Sequence, residues 1–229
     1  MKIKALLLAA AALVPAAASA QYYEIANQLP QMISPVLSGS FNYKGFIEGG
    51  YSQGFGNCKA NFAEISTSQG FQYANWFYMG VGLGVDVLFS DVDDGWNSGQ
   101  WGNPSDFDYN HSSRTTAVMI PLFTDFRFTI GGNPYTGKPM TRPAFFIDLK
   151  VGCSFLCSDD YIRIHNGYLT SQQYFYLKPS IGVRIPVNGS SKQAVDIGVS
   201  YKLLTSNYWS SWSRNVTLNS VGVNIAYEW

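Results

Sequence analysis

Hydrophobic and polar residues alternate one for one along most of this chain. The run from Phe77 is the clearest. Phe77, Met79, Val81, Leu83, Val85, Val87 and Phe89 share one parity, and Tyr78, Gly80, Gly82, Gly84 and Asp86 share the other. A β-strand turns successive side chains to opposite faces, so this pattern predicts a strand with one apolar face and one small or polar face. The same period predicts a strand over 114–130, with Val118, Ile120, Leu122, Phe126 and Phe128 opposite Asp125 and Arg127. Over 143–156, Phe145, Ile147, Leu149 and Val151 oppose Asp148 and Lys150. Over 173–187, Phe175, Leu177, Ile181, Val183 and Ile185 oppose Lys178 and Arg184. Over 193–205, Val195, Ile197, Val199, Tyr201 and Leu203 oppose Asp196 and Lys202. A first strand over 39–51 sets Phe41, Tyr43 and Ile47 against Lys44 and Glu48, and a weaker one over 61–74 carries Phe62, Ile65 and Phe71 without a clean parity. The last, over 214–229, ends on Val221, Val223, Ile225, Tyr227 and Trp229. Val216 and Leu218 take the opposite parity, which predicts a bulge near Asn219.

The first twenty residues stand apart. Lys2 and Lys4 precede an apolar run from Ala5 to Val14, and Ala18, Ser19 and Ala20 supply small residues before Gln21. This is the charged, apolar and small-residue order of a secretory leader, with cleavage expected after Ala20. The division expected is a leader over 1–20, a short lead-in over 21–38 containing Pro30 and Pro35, and one domain over 39–229.

The connections between the expected strands are 52–60, 75–76, 90–113, 131–142, 157–172, 188–192 and 206–213. Long ones alternate with short ones, the asymmetry of a transmembrane barrel with long outer loops and short turns on the inner side. The segment 131–142 is long for its place, and either departs from that rule or hides a misplaced strand boundary. A secreted β-sandwich would alternate as well, but its solvent face should be richly charged. Here that face holds Gly80, Gly82 and Gly84 in succession, which weaken a strand without packing anything unless they make room for large neighbours inside a narrow barrel.

Composition sharpens the choice. Of 229 residues 46% are hydrophobic, 16% aromatic and only 13% charged, where soluble domains carry about 25% charge. Beyond residue 20 there is no apolar run of the roughly 18 residues that a membrane helix needs. The formal charge is zero before the leader is removed, with no basic cluster, so nucleic acid is not an expected partner. The fold class expected is all-β, an eight-stranded antiparallel up-and-down transmembrane β-barrel.

With the leader, the strand rhythm and the closing strand in hand, the chain resembles the small outer-membrane β-barrel proteins of Gram-negative bacteria, the OmpA/OmpX-like members of the porin superfamily. The closing strand is the most specific match: Ser220, Gly222, Ile225 and Tyr227 fit that family's polar-x-Gly-x-x-apolar-x-aromatic assembly signal, and the sequence stops at aromatic Trp229. The resemblance implies outer-membrane localisation amid lipid and lipopolysaccharide, a barrel-assembly machinery as partner during insertion, and an extracellular ligand of unknown identity for the loops.

Candidate chemistry is sparse. Lys44, Glu48, Asp86, Asp125, Arg127, Asp148, Lys150, Lys178, Arg184, Asp196 and Lys202 fall on the inward parity, nearly matched by sign. Eight strands leave a lumen about as wide as the side chains that fill it. These charges therefore read as a structural ion-pair network, or else as a narrow ion path. The loop 90–113 gathers Asp91, Asp93, Asp94, Asp106 and Asp108 with Trp96, Trp101, Phe107 and Tyr109. Asp91, Asp93, Asp94, Trp96 and Trp101 are the candidate loop-binding residues, although the spacing and distal Glu of an EF-hand are absent. His111 and Ser113 form a His-x-Ser pair similar to that of outer-membrane lipid A deacylases, but Asp125 lies about 40 Å further along the same strand and cannot orient the histidine. The odd set Cys58, Cys153 and Cys157 allows a loop–loop disulfide between Cys58 and Cys157, with Cys153 facing lipid. No catalytic residue, cofactor or metal is expected. The leading function is a structural or surface-binding role carried by the outer loops. A narrow channel and a lipid A acyl hydrolase stand as alternatives.

Overall fold

The computed structural model describes residues 42–74, 76–93, 112–130, 142–157, 162–165, 167–169, 173–187, 192–206 and 216–229. The expected leader and lead-in lie outside them. Eight long strands form the wall: β1 (Asn42–Phe55), β2 (Asn61–Ala74), β3 (Phe77–Asp93), β4 (Ser112–Ile130), β5 (Ala144–Leu156), β8 (Gln173–Pro186), β9 (Ala194–Thr205) and β10 (Thr217–Glu228). Two short strands, β6 (Ile162–Ile164) and β7 (Gly167–Leu169), pair as a separate hairpin within the β5–β8 connection.

The wall closes on itself in the order β1-β10-β9-β8-β5-β4-β3-β2. Every pairing around the ring is antiparallel. The seam joins β1 to β10 from Phe46↔Glu228 to Phe55↔Asn219. Beyond that ladder, the Gly45 N–H donates to the Trp229 carbonyl at 3.0 Å and the Trp229 N–H returns to the Gly45 carbonyl at 3.1 Å. A closed antiparallel ring leaves no strand edge, the condition for satisfying backbone polar groups where no water can reach them.

The expected all-β barrel is the fold observed, and the alternation sets its two surfaces. Outward-facing Tyr43, Ile65, Val81, Leu83, Leu122, Phe145, Ile181, Val223 and Ile225 are all exposed. So large an apolar exterior is the reverse of a water-soluble protein and matches the band a barrel presents to hydrocarbon. Aromatic residues gather where strands meet their turns: Trp76 stacks on Phe128 with ring centroids 6.1 Å apart, and Tyr227 on Trp229 at 6.3 Å.

Several boundaries differ from the expected ones. β1 continues to Phe55 and β3 to Asp93, so the strands outrun the hydrophobic pattern that announced them. The expected bulge near Asn219 is absent: β10 pairs with β9 without interruption from Thr217↔Thr205 to Glu228↔Ala194. The register shift present lies between Gln72 and Ala74 on β2. Val216 and Leu218 keep the regular parity and point inward, because the interior at that level is apolar.

Inside, two regions stack along the barrel axis. Toward the end where β1 starts and β10 stops, the interior is charged. Toward the other end, Phe62, Leu88, Met119, Phe123, Leu156, Tyr174, Tyr176, Leu204 and Leu218 form a continuous apolar cluster. The glycines of β3 make this filling fit. A Cβ on Gly82 would lie 2.5 Å from both the Phe123 ring and the Thr67 carbonyl oxygen, and one on Gly80 would overlap the Tyr78 phenol. Bulky rings occupy the space that missing side chains leave.

Candidate functional site: the charged lumen and its apolar cap

Among the described residues, inward parity buries six cations, Lys44, Arg127, Lys150, Lys178, Arg184 and Lys202, against seven carboxylates, Glu48, Glu64, Asp86, Asp125, Asp148, Asp196 and Glu228. Glu64 and Glu228 were not among the expected inward charges. Glu228 was legible, since it sits between outward Tyr227 and Trp229. Glu64 was hidden because 61–74 showed no clean parity, with apolar Phe62 on one face and Ile65 and Phe71 on the other. Phe62 belongs to the inner apolar cluster, which explains that unclear parity.

The charges form three tiers. Nearest the start of β1 and the end of β10, Glu228 receives Lys44 Nζ at 2.6 Å and the Arg184 guanidinium through Nε at 2.9 Å and Nη2 at 2.6 Å. The paired donors of arginine match the two carboxylate oxygens, the geometry in which such contacts are strongest.

In the middle tier Arg127 pairs with Asp196 and lies 3.4 Å from Asp148. Its guanidinium is also held between two rings, 4.1 Å from the Phe46 centroid and 4.5 Å from that of Phe146. A weakly hydrated, planar cation suits such a slot better than an ammonium would. Asp125 accepts a 2.6 Å hydrogen bond from the Ser68 hydroxyl.

The third tier is a chain of lysines and acids. Lys150 Nζ reaches Glu48 at 2.6 Å, Lys178 bridges Glu48 at 2.7 Å to Glu64, and Lys202 bridges Glu64 to Asp86 at 2.7 Å. Lys202 also lies 4.6 Å from the centroid of Phe62, at the floor of the apolar cluster. Charges removed from water cost several kcal/mol each unless partners replace the lost hydration. Here each lysine of this chain touches carboxylates drawn from strands across the lumen.

Beyond the charges lies the apolar cluster, and the β6–β7 hairpin supplies part of it. Ile164 and Leu169 turn inward and are completely buried against wall residues. The ion-pair network expected of the lumen therefore fills only part of it. Charges, with Phe46, Tyr78 and Phe146 among them, occupy one region of the interior and the apolar cluster, which includes hairpin residues, occupies the other.

The remaining expected residues scatter. Asp91 and Asp93 are wall residues of β3, opposite Arg114 and Ser112 in register, and Asp91 is exposed. Asp94, Trp96 and Trp101 lie outside the described residues, as does His111. Ser113 pairs with Val92 at the far end of β4, whereas Asp125 is buried in the middle of the lumen beside Ser68. The structure therefore does not bring Ser113 and Asp125 together. Along β10, Ser220 is buried, while Ile225, Tyr227 and Trp229 face outward; Gly222 sits at the seam opposite Ser52. Among the described residues, Cys58, Cys153 and Cys157 form no disulfide. Cys58 packs against the apolar cluster, and Cys153 faces outward, where it accepts a 2.8 Å hydrogen bond from Gln173 Nε2. Among the described residues there is no cluster of side chains arranged to hold a metal ion.

No family model matches this chain, and no curated protein matches it in sequence. Solved structures do match it in fold. The crystal structure of Neisserial surface protein A superposes with a TM-score of 0.50 at 11% identity, covering 82% of this chain and 97% of that one. The outer-membrane enzyme PagL gives a TM-score of 0.44 at 11% identity over 79% and 97% of the two chains. The outer-membrane protein OprG from Pseudomonas aeruginosa gives 0.40 at 7% identity over 82% and 95%. At such identities the likeness speaks for the fold alone. In fold, the chain is a closed eight-stranded antiparallel β-barrel of the kind seen in small outer-membrane proteins.

Proposed function

We propose that this protein resides in the outer membrane as a non-conducting barrel, a rigid lipid-embedded scaffold whose recognition work belongs to the connections at the end away from the start of β1 and the end of β10. The observation that carries this reading is the double filling of the lumen. A water-filled ion path needs charges that hydrated ions can reach. Here Lys150, Lys178 and Lys202 are engaged with Glu48, Glu64 and Asp86, and an apolar layer that includes hairpin residues packs beyond them. Outside, the apolar band leaves little but lipid to contact. Interior and belt are both committed to holding the barrel shut and embedded, which leaves the loops as the surface free to bind.

The test is single-channel recording from the refolded mature chain in a planar bilayer, with folding verified by gel mobility. Silence from folded protein is the expected result. Reproducible discrete steps would overturn the reading and turn the buried charges into a selectivity path.

A further inference from the structure

Six of the seven buried carboxylates meet a cation. Glu228 has Lys44 and Arg184, Asp148 and Asp196 share Arg127, Glu48 and Glu64 share Lys178, and Asp86 has Lys202. Asp125 differs: among the described residues it forms no ion pair, although it is 0% exposed and Lys150 stands across from it in register on β5. The Lys150 ammonium goes instead to Glu48 at 2.6 Å, with Asp148 at 3.8 Å. What Asp125 does meet is another acid. Its carboxyl group lies within hydrogen-bonding reach of that of Asp148. On each acid, Oδ2 is supplied with donors. Asp125 Oδ2 accepts the Ser68 hydroxyl at 2.6 Å, and Ser68 in turn accepts the Tyr78 hydroxyl at 3.3 Å. Asp148 Oδ2 accepts the Ser180 hydroxyl and an Arg127 N–H, both at 3.4 Å. Asp125 Oδ1 and Asp148 Oδ1 are buried and, among the described residues, receive no donor.

From this geometry we propose that Asp125 and Asp148 form a binding site for one proton, held between their two carboxyl groups at neutral pH. An ionised carboxylate only accepts hydrogen bonds, so two of them in contact repel and leave both orphan oxygens unsatisfied. One proton turns one acid into a donor and removes the repulsion. It also brings the buried charges of the described residues to six of each sign. The groups that face the pair are Ser68 from β2, Tyr78 from β3, Arg127 on β4, Lys150 from β5 and Ser180 from β8. Glu48 of β1 holds Lys150 and Asp196 of β9 holds Arg127, so neither cation can serve Asp125 without deserting another acid. Loss of the proton sets two like charges together in the middle tier, which makes the site a device that loosens the lumen as pH rises.

The experiment uses the full mature chain refolded in lipid vesicles, with Asp125→Asn and Asp148→Asn. An asparagine at either place supplies the missing donor from its amide, and the proton is no longer required. Infrared spectra of folded wild type at neutral pH should show the carbonyl stretch of a protonated carboxyl group, and both variants should lack it. Linkage gives a second readout. Aspartate in an unfolded chain is ionised at neutral pH, so folding takes up one proton and the stability it confers falls as pH rises. The unfolding constant of wild type, divided by that of Asp125→Asn, should therefore rise about tenfold per pH unit between about pH 5 and 7. The other groups cancel in that ratio. Folded wild type without the band, or a ratio that is flat with pH, would overturn the proposal. So would a band that survives either substitution, since the proton would then sit elsewhere or on Asp125 alone. Asp125→Asn is the neutral isostere of the proposed state, so its failure to fold would also count against the site. Should Asp148→Asn fail to fold, Asp125→Asn decides by both readouts.

Discussion

The interaction between Lys202 and Asp86 offers the sharpest energetic test of the charged lumen. Lys202 Nζ lies 2.7 Å from Asp86 and also pairs with Glu64, and both Lys202 and Asp86 are 1% exposed. Replacing Lys202 by Met keeps much of the side chain's length and its packing against Phe62. It removes the cation while leaving the acids in place. Glu64 retains Lys178, so the main consequence falls on Asp86, which stays buried with its neighbouring cation gone and must either hold an unpaired charge or take up a proton. Breaking a buried pair from one side costs about 3–5 kcal/mol, a large share of the roughly 5–15 kcal/mol by which a folded protein is stable. Adding Asp86→Asn removes the stranded charge, so Lys202→Met/Asp86→Asn should be more stable than Lys202→Met alone. A coupling energy of about 2 kcal/mol or more is expected, within the range seen for residues in direct contact. The assay is urea unfolding of the refolded barrel in vesicles, followed by tryptophan fluorescence and gel mobility. Lys59→Met on the exposed β1–β2 turn serves as the control, expected within about 0.5 kcal/mol of wild type. If Lys202→Met costs less than 1 kcal/mol, or the double variant costs the sum of the two singles, the lumen is wet and the argument for a closed, ion-paired interior fails.

Two further outcomes follow from packing and from cysteine chemistry. Gly82→Ala should destabilise by about 1–3 kcal/mol, the usual cost of overfilling a packed interior, because its new methyl group meets the Phe123 ring and the Thr67 carbonyl oxygen. Phe123→Leu should recover only part of that loss, since the carbonyl remains; urea unfolding of the three variants measures both effects, and a neutral Gly82→Ala would refute the tight fit. At neutral pH, maleimide should modify exposed Cys157 faster than Cys58, whose thiol is pushed up by burial. A raised thiol yields its thiolate only at higher pH, so the Cys58 rate should still be climbing where an ordinary thiol has levelled off. An early plateau would show that the Cys58 environment is open.

The alternation of side chains was sufficient to predict the wall. A strand buried on neither or both faces leaves no parity to read, but a lipid-facing strand around a polar lumen writes its two environments into alternate residues. For that reason the runs from Phe77, from Phe145 and from Val195 declared both their strands and their orientation. Lys44, Glu48 and Arg127 could be assigned inward from position alone. The chain also carried the fold class, through the low charge and the closed set of eight strands.

What parity does not encode is depth along the barrel axis, and that is what the tertiary structure decided. The inward positions of Leu88, Met119, Leu204 and Leu218 are apolar because they pack with hairpin residues in one cluster; from sequence, Leu218 looked like an irregularity in its strand. The same ignorance of depth hid Glu64 behind Phe62. Partner choice was likewise beyond the sequence. Lys178 and Glu64 lie far apart in the chain and meet across the lumen, because the order and stagger of the eight strands set which inward residues share a level. A strand's own residues determine which way each side chain points; only the closed ring determines what it meets there.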